Sequence, residues 1–165
     1  MKKVIVIGCP GSGKSYFSKK LKVLVNIPLY HLDMIYHKKD GSQISKEEFD
    51  SILDNIMSKD EWILDGNYQR TLEKRLEKSD TVFLLDYSTD VCIKGANERI
   101  GTKRDDLPWV ENELDKEFEQ RIINFNNEKL PLIYKLLDKY NDKNIIIFKT
   151  REQSSDYLEK LKEGI

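Results

Sequence analysis

The chain has 165 residues, 39% of them hydrophobic, which is enough for one buried core and too few for two ordinary domains. Its 28 Lys and Arg residues nearly balance 29 Asp and Glu residues without long blocks of one sign, so no electrostatic footprint for duplex nucleic acid is visible. No apolar run approaches the roughly 20 residues that cross a bilayer, and residues 1–7 lead straight into a strand pattern instead of a secretion signal. We expect one cytoplasmic domain over residues 1–165, with no membrane or direct nucleic-acid partner.

Short apolar runs rich in β-branched residues predict five strands, and helical patterns fill the intervals between them. Continuous apolar runs are typical of strands that are buried on both faces of a parallel sheet. The predicted strands cover residues 4–7, 27–31, 62–65, 81–85 and 145–149. They predict a doubly wound α/β fold, in which ligands bind at the carboxyl ends of the strands.

The helices are predicted from apolar residues three or four positions apart and from capping residues. Pro131 is expected to kink or split the longest helical region. A closing helix is expected to be capped by Ser154 or Ser155. The other predicted helices cover residues 15–24, 45–57, 89–99, 110–125 and 133–140.

A phosphate-binding loop follows the first predicted strand. Gly8, Gly13, Lys14 and Ser15 satisfy the pattern G-x-x-x-x-G-K-[ST], and the match opens a predicted helix, as the mechanism requires. The glycines let backbone N–H groups face anionic oxygens, while Lys14 can reach the β and γ phosphates and Ser15 can ligate Mg²⁺. The predicted nucleotide-binding residues of this segment are Gly8, Cys9, Pro10, Gly11, Ser12, Gly13, Lys14, Ser15 and Tyr16.

The phosphate loop alone does not define the reaction, because GTPases, motor ATPases and small-molecule kinases share it. The N/T-K-x-D pattern for guanine occurs at residues 102–105, inside the basic stretch and not directly after a predicted strand, and no hydrophobic strand ends in Asp-Glu. It also has no room for the second domain that motors use. The sequence therefore favours a small kinase that uses ATP and Mg²⁺.

Candidate acceptor residues follow the second and third predicted strands, on the rim that also carries the phosphate loop. Asp33 can orient or deprotonate an acceptor hydroxyl, or it can simply cap the next segment. Arg70 can clamp an anionic group of the acceptor, or it can be a solvated surface cation. His31 and Tyr36 are interpreted as packing or rim residues.

A candidate metal-supporting residue ends the third predicted strand. Asp65 can hold a water of the Mg²⁺ shell, and Gly66 allows close approach of the backbone to a ligand. The same dipeptide can also be an ordinary turn. Asp86 ends the fourth strand, where we interpret it as a helix cap.

Basic residues cluster in a stretch of about residues 100–110 that is typical of a small mobile lid. Arg99 and Arg104 can neutralise charge on a transferred phosphoryl group, an effect worth on the order of 10³ or more in rate. Arg121 lies at the edge of an apolar stripe and can point back toward this lid. The alternatives are that Arg99 complements a helix carboxyl end, that Lys103 and Arg104 are solvated, and that Arg121 snorkels at a boundary.

Taken together, these motifs resemble the adenylate-kinase-related P-loop family of bacterial DNA topology modulation proteins. The resemblance implies a three-layer fold like that of nucleoside-monophosphate kinases, with sheet order 2-3-1-4-5. It also implies that Asp65 and Gly66 match the Asp-Gly of those kinases, that Arg70 lies near their phosphate-binding arginine, and that Arg151 joins the nucleotide-binding set. The resemblance rests on the phosphate loop and on residues 28–33, 62–68, 104–106 and 149–151.

Two positions depart from the family pattern. Related proteins carry two arginines four residues apart at the start of the lid, one of them available to stack on a nucleobase, whereas this chain has Gly95 and Arg99. They also read Arg-Pro-Asp in the lid, where Asp105 here replaces the proline. The family name implies an effect on DNA, but a near-neutral chain gives no physical reason for direct DNA contact.

We therefore expect an ATP- and Mg²⁺-dependent phosphotransferase that acts on a small acceptor, with nucleotides and nucleosides among the candidates. Two alternatives stay open, an ATP-binding regulatory protein and a slow ATPase. Neither the identity of the acceptor nor the oligomeric state follows from the sequence. The predicted catalytic residues are Lys14, Asp33, Arg70, Arg99, Arg104 and Arg121, and the predicted metal site is Ser15 with Asp65.

Overall fold

A five-stranded parallel sheet organises the protein, whose computed structural model describes residues 1–164. The strand order is β2-β3-β1-β4-β5, and helices cover both sides of the sheet, so the predicted fold class and order are confirmed. The strands are β1 (Lys3–Gly8), β2 (Leu29–His31), β3 (Trp62–Asp65), β4 (Thr81–Leu85) and β5 (Asn144–Phe148).

Helices connect the strands and complete the layers. None of the helices in residues 1–164 is long and apolar enough to cross a membrane. The helices are α1 (Lys14–Val25), α2 (Leu32–Tyr36), α3 (Lys46–Met57), α4 (Gln69–Lys78), α5 (Thr89–Glu98), α6 (Lys116–Glu128), α7 (Leu130–Lys139) and α8 (Arg151–Glu163).

Several helix boundaries differ from the predictions. The helix expected from residue 110 starts at Lys116, because Asp115 caps it by accepting a hydrogen bond from the Phe118 amide at 3.1 Å. Pro131 lies in the first turn of α7, and the long helical region is split just before it, as predicted. Helices α2 and α4 were not predicted.

The start of the closing helix was also misplaced. Helix α8 begins at Arg151 instead of near Ser154, since the Thr150 hydroxyl accepts from the Gln153 amide at 3.2 Å and caps it. Ser154 lies inside the helix, where its hydroxyl accepts a hydrogen bond from the Tyr87 hydroxyl at 2.7 Å.

Four aromatic rings join α1 and α8 to the sheet. The ring of Phe83 on β4 lies 5.0 Å from that of Phe17 on α1 and 6.0 Å from that of Phe148 on β5, between centroids. Tyr157 of α8 contacts Phe83 at 5.3 Å. Because α1 starts at the phosphate loop, this cluster anchors the loop to the core.

Parallel pairing brings the ends of several strands to one edge of the sheet. Asp65 pairs with His31 on one side and with Val6 on the other, and Gly8 pairs with Leu85. The segments that follow these residues therefore meet at the carboxyl edge, where ligands bind in open α/β sheets.

Replacing the central ring of the aromatic cluster should destabilise the fold. We expect Phe83→Ala to lower the free energy of unfolding by about 3–5 kcal/mol, because it leaves a cavity among three other rings. Urea unfolding followed by circular dichroism measures this. The control, Val23→Ala on the exposed face of α1, should change stability by less than about 0.5 kcal/mol. Equal effects of the two substitutions would contradict the assigned packing.

Candidate functional site

A cavity of about 700 Å³ opens at the carboxyl edge of the sheet. This volume lies within the range of small-molecule sites, about 300–1,000 Å³. One wall is the phosphate loop, a second wall is formed by α2 and the loop after β3, and the segment between α5 and α6 covers the space between them. We call that covering segment, residues 99–115, the lid; the sequence predicted it over a shorter range.

The phosphate loop is curled tightly against α5. Gly11 has φ 84°, and a Cβ there would lie 2.0 Å from the Cys92 carbonyl oxygen, so a side chain cannot be accommodated. The Lys14 ammonium donates to the Cys9 carbonyl at 3.2 Å. Of the predicted loop residues, Cys9 and Ser12 are buried behind the loop. The cavity is lined by Pro10, Gly11, Gly13, Lys14, Ser15 and Tyr16.

The two predicted metal-site residues are in contact. The Ser15 hydroxyl oxygen lies 2.9 Å from Asp65 Oδ2, and Asp65 Oδ1 is buried without a hydrogen-bond partner among residues 1–164. Oxygen donors of this kind fit Mg²⁺, which nucleotide sites bind through one or two carboxylates together with phosphate oxygens. No group of three or more His, Cys, Asp or Glu side chains in the described chain is arranged to hold a metal without such help.

His31 contacts this same carboxylate. Its Nδ1 lies 2.6 Å from Asp65 Oδ2, and its side chain is mostly buried and lines the cavity. The interpretation of His31 as a packing or rim residue is therefore incomplete. The register of β2 against β3 places the two side chains side by side, which sequence spacing cannot show.

A buried arginine organises the loop after β3. Arg75 of α4 is fully buried, and its guanidinium donates to the carbonyls of Gly66 at 2.9 Å, of Tyr68 at 3.2 Å, and of Asn67. Burial lowers the pKa of Arg75 to about 9, against the opposing charge of Asp65, which leaves the group charged at neutral pH. This residue was not identified from the sequence, because helix α4 was not predicted.

Asn67 connects this loop to the phosphate loop. Its side-chain oxygen accepts from the Gly8 amide at 3.0 Å, and its side-chain nitrogen donates to the Gly8 carbonyl at 2.7 Å. Both hydrogen-bonding groups of the first loop glycine are thus used. Asn67 was also missed, although its position directly after the Asp65-Gly66 pair marked it as a rim residue.

Tyr68 fixes the candidate catalytic carboxylate. Its backbone lies in the left-handed region with φ 36°, a conformation that costs about 1–3 kcal/mol. Its ring stacks on Phe49 with centroids 5.2 Å apart, and its hydroxyl donates to Asp33 Oδ1 at 2.6 Å. Burial and then the Asp33 charge raise the pKa of Tyr68, which keeps it a donor. Asp33 lies in the first turn of α2 and lines the cavity.

Arg70 lies outside the cavity. Its guanidinium forms a two-pronged ion pair with Asp50 of α3, with nitrogen–oxygen distances of 2.7 and 2.9 Å, and both side chains are exposed. In this structure Arg70 is engaged by Asp50 and does not line the cavity, so its role toward an acceptor stays a prediction. The helical register of α4 turns position 70 toward α3 and position 75 into the core.

Two lid arginines share one carboxylate. Arg99 Nε lies 3.1 Å from Glu111 Oε2, and Arg104 Nη1 lies 2.9 Å from the same oxygen. Burial lowers the pKa of Arg99; for Arg104, burial acts in the same direction, but Asp106 and Glu111 raise its pKa overall. Arg99 also lies over the Phe118 ring at 5.3 Å.

The lid reaches the phosphate loop through Asp106, a residue that the sequence did not single out as a site residue. Its Oδ2 lies 2.5 Å from the Ser15 hydroxyl oxygen, and the residue is only 4% exposed. Burial opposes ionisation, but hydrogen bonds from Arg104 and Ser15 hold the pKa of Asp106 well below its usual range. Arg121 also lines the cavity, but it is exposed and pairs with Glu117 at 2.8 Å.

Gly95 explains one departure from the family pattern. A Cβ at this position would lie 2.1 Å from the Gly11 carbonyl and 2.5 Å from Arg151 Nη2, so α5 packs too closely on the phosphate loop for an arginine there. Arg151, at the start of α8, lines the cavity beside Gly95 and lies 3.6 Å from Glu98.

Asp86 does not cap a helix. It accepts hydrogen bonds from Tyr134 and Lys149, whereas Ser88 caps α5 by accepting from the Val91 amide. The prediction for Asp86 was therefore wrong, because the capping position lies two residues further along the chain.

Comparison with solved structures identifies the fold. Shikimate kinase from Acinetobacter baumannii, in complex with shikimate, matches with TM-score 0.63 at 14% identity, covering 98% of this chain and 90% of that one. Shikimate kinase from Bacteroides thetaiotaomicron matches with TM-score 0.57 at 15% identity over 97% and 96% of the two chains. The fold is that of P-loop nucleoside-monophosphate-kinase-like proteins.

A third solved structure of the same fold is a gluconokinase from Sinorhizobium meliloti 1021, with TM-score 0.53 at 12% identity over 99% of this chain and 94% of that one. At these identities the comparisons show the fold alone. No family model matches the chain, and no curated protein does. The resemblance to DNA topology modulation proteins therefore gains no support from them.

Removing the buried guanidinium should destabilise the protein strongly. We expect Arg75→Met to lower the free energy of unfolding by about 3 kcal/mol or more, because it leaves buried carbonyls without donors. Urea unfolding measures the change. Arg70→Met, an exposed arginine of the same helix, is the matched control and should cost less than about 1 kcal/mol. A small effect at Arg75 would show that the loop does not depend on it.

Proposed function

We propose that this protein is an ATP- and Mg²⁺-dependent kinase that transfers the γ-phosphoryl group to a hydroxyl of a small acceptor molecule. The observation that supports it most directly is the shared cavity. The phosphate loop and the Asp33 carboxylate line the same 700 Å³ space, so a nucleotide and a second small molecule can meet there. A protein that only binds nucleotide needs no such second wall.

The donor side would hold the nucleotide phosphates. Backbone amides of the phosphate loop and the amino terminus of α1 present partial positive charge to anionic oxygens, and Lys14 adds a full charge. Ser15 and Asp65 would hold the metal site. When bound there, Mg²⁺ supplies charge neutralisation at the β and γ phosphates. Arg151 and Tyr16 line the same end of the cavity.

The acceptor side would supply the base. The acceptor hydroxyl oxygen forms the new bond to the γ-phosphorus, the bond from that phosphorus to the bridging oxygen of ADP breaks, and the hydroxyl proton passes to Asp33. The hydrogen bond from Tyr68 holds one Asp33 oxygen in place and leaves the other for the substrate. Orientation of this kind accounts for much of the rate in phosphoryl transfer.

The lid would neutralise the charge that develops during transfer. Arg99, Arg104 and Arg121 all line the cavity, and the first two are held in position by Glu111. Arg70 would contribute only if it left Asp50. The names of the shikimate kinases and the gluconokinase support a small-molecule acceptor in this fold; the identity of the acceptor is not carried over from them.

Membership of the DNA topology modulation family, a cytoplasmic location and the lack of a nucleic-acid partner remain predictions from the sequence. The assignment of residues 1–165 to a single domain is also a prediction from the sequence.

The proposed activity predicts acceptor-dependent ADP production. ADP release from Mg²⁺-ATP should rise above the water background with one class of a panel of nucleosides, nucleoside monophosphates, shikimate and gluconate. Lys14→Ala should abolish that turnover while its circular dichroism spectrum stays unchanged, because the charge on the transferred phosphates is lost.

The panel separates the alternatives. Binding of ATP without stimulation by any acceptor would contradict the kinase and favour the regulatory protein. Equal turnover by Lys14→Ala would show that the phosphate loop is not the catalytic site.

Asp33 should affect the chemical step and not the binding of nucleotide. We expect Asp33→Asn to lower kcat by about 10²–10⁴, the typical contribution of a positioned base, with ATP affinity unchanged. Steady-state kinetics with the stimulating acceptor and fluorescence binding of a labelled ATP measure the two quantities. Tyr68→Phe, which removes only the hydrogen bond to Asp33, should have a smaller effect. An unchanged kcat in Asp33→Asn would exclude Asp33 as the base.

A further inference from the structure

Two carboxylates meet at one hydroxyl group. The Ser15 oxygen lies 2.9 Å from Asp65 Oδ2 and 2.5 Å from Asp106 Oδ2. A serine hydroxyl carries one proton and can donate it to only one of them at a time. The Ser15 proton therefore serves one carboxylate, and the other relies on its remaining neighbour, which is His31 Nδ1 at 2.6 Å for Asp65 Oδ2 and the Arg104 guanidinium for Asp106 Oδ2. A cation bound between the two carboxylates would add positive charge that this group of oxygens favours.

A second observation points to a ligand at this place. Asp65 is 4% exposed and lines the cavity, yet its Oδ1 has no hydrogen-bond partner in residues 1–164. Buried polar atoms without partners are uncommon in folded proteins, and a bound cation is one ligand that satisfies a buried carboxylate oxygen. Ser15, Asp65 and Asp106 would together offer the hard oxygen donors that Mg²⁺ prefers.

We propose that the Asp106 carboxylate is a further oxygen ligand of the divalent cation, beside Ser15 and Asp65, so that the metal holds the lid against the phosphate loop. The inference rests on the proposed function and adds to it a metal ligand supplied by the lid. The proposed coordination is direct, with a carboxylate oxygen of Asp106 in the shell of oxygen ligands around the ion.

The existing contacts of Asp106 leave room for this role. A carboxylate has about four acceptor positions, and Asp106 uses two for Arg104 and one for Ser15. When Ser15 donates its proton to Asp65, one more position on Asp106 is free for the cation. Arg104 offsets part of the negative charge, which lowers the cost of holding two carboxylates together.

The lid contains a tryptophan whose fluorescence can be used to follow its position. Trp109 lies three residues beyond Asp106, its ring is 5.2 Å from that of His37, and both residues line the cavity. The chain contains two tryptophans, and the other, Trp62, is buried in β3. A Trp62→Phe background therefore makes Trp109 the fluorophore that follows lid closure.

The test compares two adjacent aspartates of the lid. Asp105 is exposed and forms an ion pair with Lys19, away from Ser15 and Asp65, so Asp105→Asn is the matched control for Asp106→Asn. Mn²⁺ binding to the protein–ATP complex is measured by electron paramagnetic resonance, and Mg²⁺-dependent lid closure is measured by Trp109 fluorescence. We expect Asp106→Asn to weaken Mn²⁺ binding and shift the Mg²⁺ midpoint by about 10-fold or more, and Asp105→Asn to change neither.

Two results would overturn the inference. Equal Mn²⁺ affinity of the two variants would show that Asp106 is no ligand, and tighter binding by Asp106→Asn would show that its carboxylate blocks the metal position. Failure of the unsubstituted protein to bind Mn²⁺-ATP would instead reject the proposed function. The two failures are therefore distinguishable.

A second pair of variants covers the case in which Asp106→Asn does not fold. A thiolate prefers soft cations, so Asp106→Cys should raise the ratio of Cd²⁺ to Mn²⁺ affinity by about 10-fold or more relative to Asp105→Cys. Cys9 and Cys92 are present in both proteins and do not affect the comparison. Equal ratios would exclude Asp106 from the metal shell.

Discussion

The arrangement of the site depends on the hydrogen bonds that the buried guanidinium of Arg75 donates to the loop after β3. A buried charge has a large desolvation cost, and here that cost is offset by hydrogen bonds to three successive carbonyls after β3. Those residues contact both sides of the cavity. Asn67 holds the start of the phosphate loop, and Tyr68 holds Asp33, so one guanidinium orients both the phosphate loop and the carboxylate on α2.

The same constraint explains why a strained backbone is kept at the site. The left-handed conformation of Tyr68 is unfavourable by itself, but in it the residue contacts Arg75, packs on Phe49 and donates a hydrogen bond to Asp33. The strain is thus compensated by contacts that fix the carboxylate before any acceptor binds. Preorganisation of this kind reduces the reorganisation that a catalytic step requires.

Opposite charges at the edge of the sheet are arranged as a chain. Glu111 joins Arg99 and Arg104, Arg104 holds Asp106, and Asp106 meets Ser15 at the phosphate loop. A change at Ser15 can therefore be transmitted to the lid arginines through contacts of 3.1 Å or less. The lid lacks regular secondary structure, and the carboxylate of Asp106 connects it to the phosphate loop.

The sequence by itself determined the features that depend on local pattern. The positions of the five strands and the phosphate loop follow from motifs of adjacent residues, because an apolar run and a glycine-rich turn leave a signal within a few positions. The sheet order was implied by the family resemblance and is confirmed. The sequence also predicted that Ser15 and Asp65 belong to one site, because the carboxyl ends of parallel strands meet at one edge of the sheet.

Only the tertiary structure decided which polar side chains meet. Arg70 and Arg75 lie on one helix and carry the same charge, yet the register of α4 turns the first to Asp50 and buries the second. Asn67, His31 and Asp106 became site residues through partners that are 34 to 91 positions away in the chain. The sequence around a polar residue does not indicate which residue its side chain will contact, because the two side chains come together only after the helices have packed on the sheet.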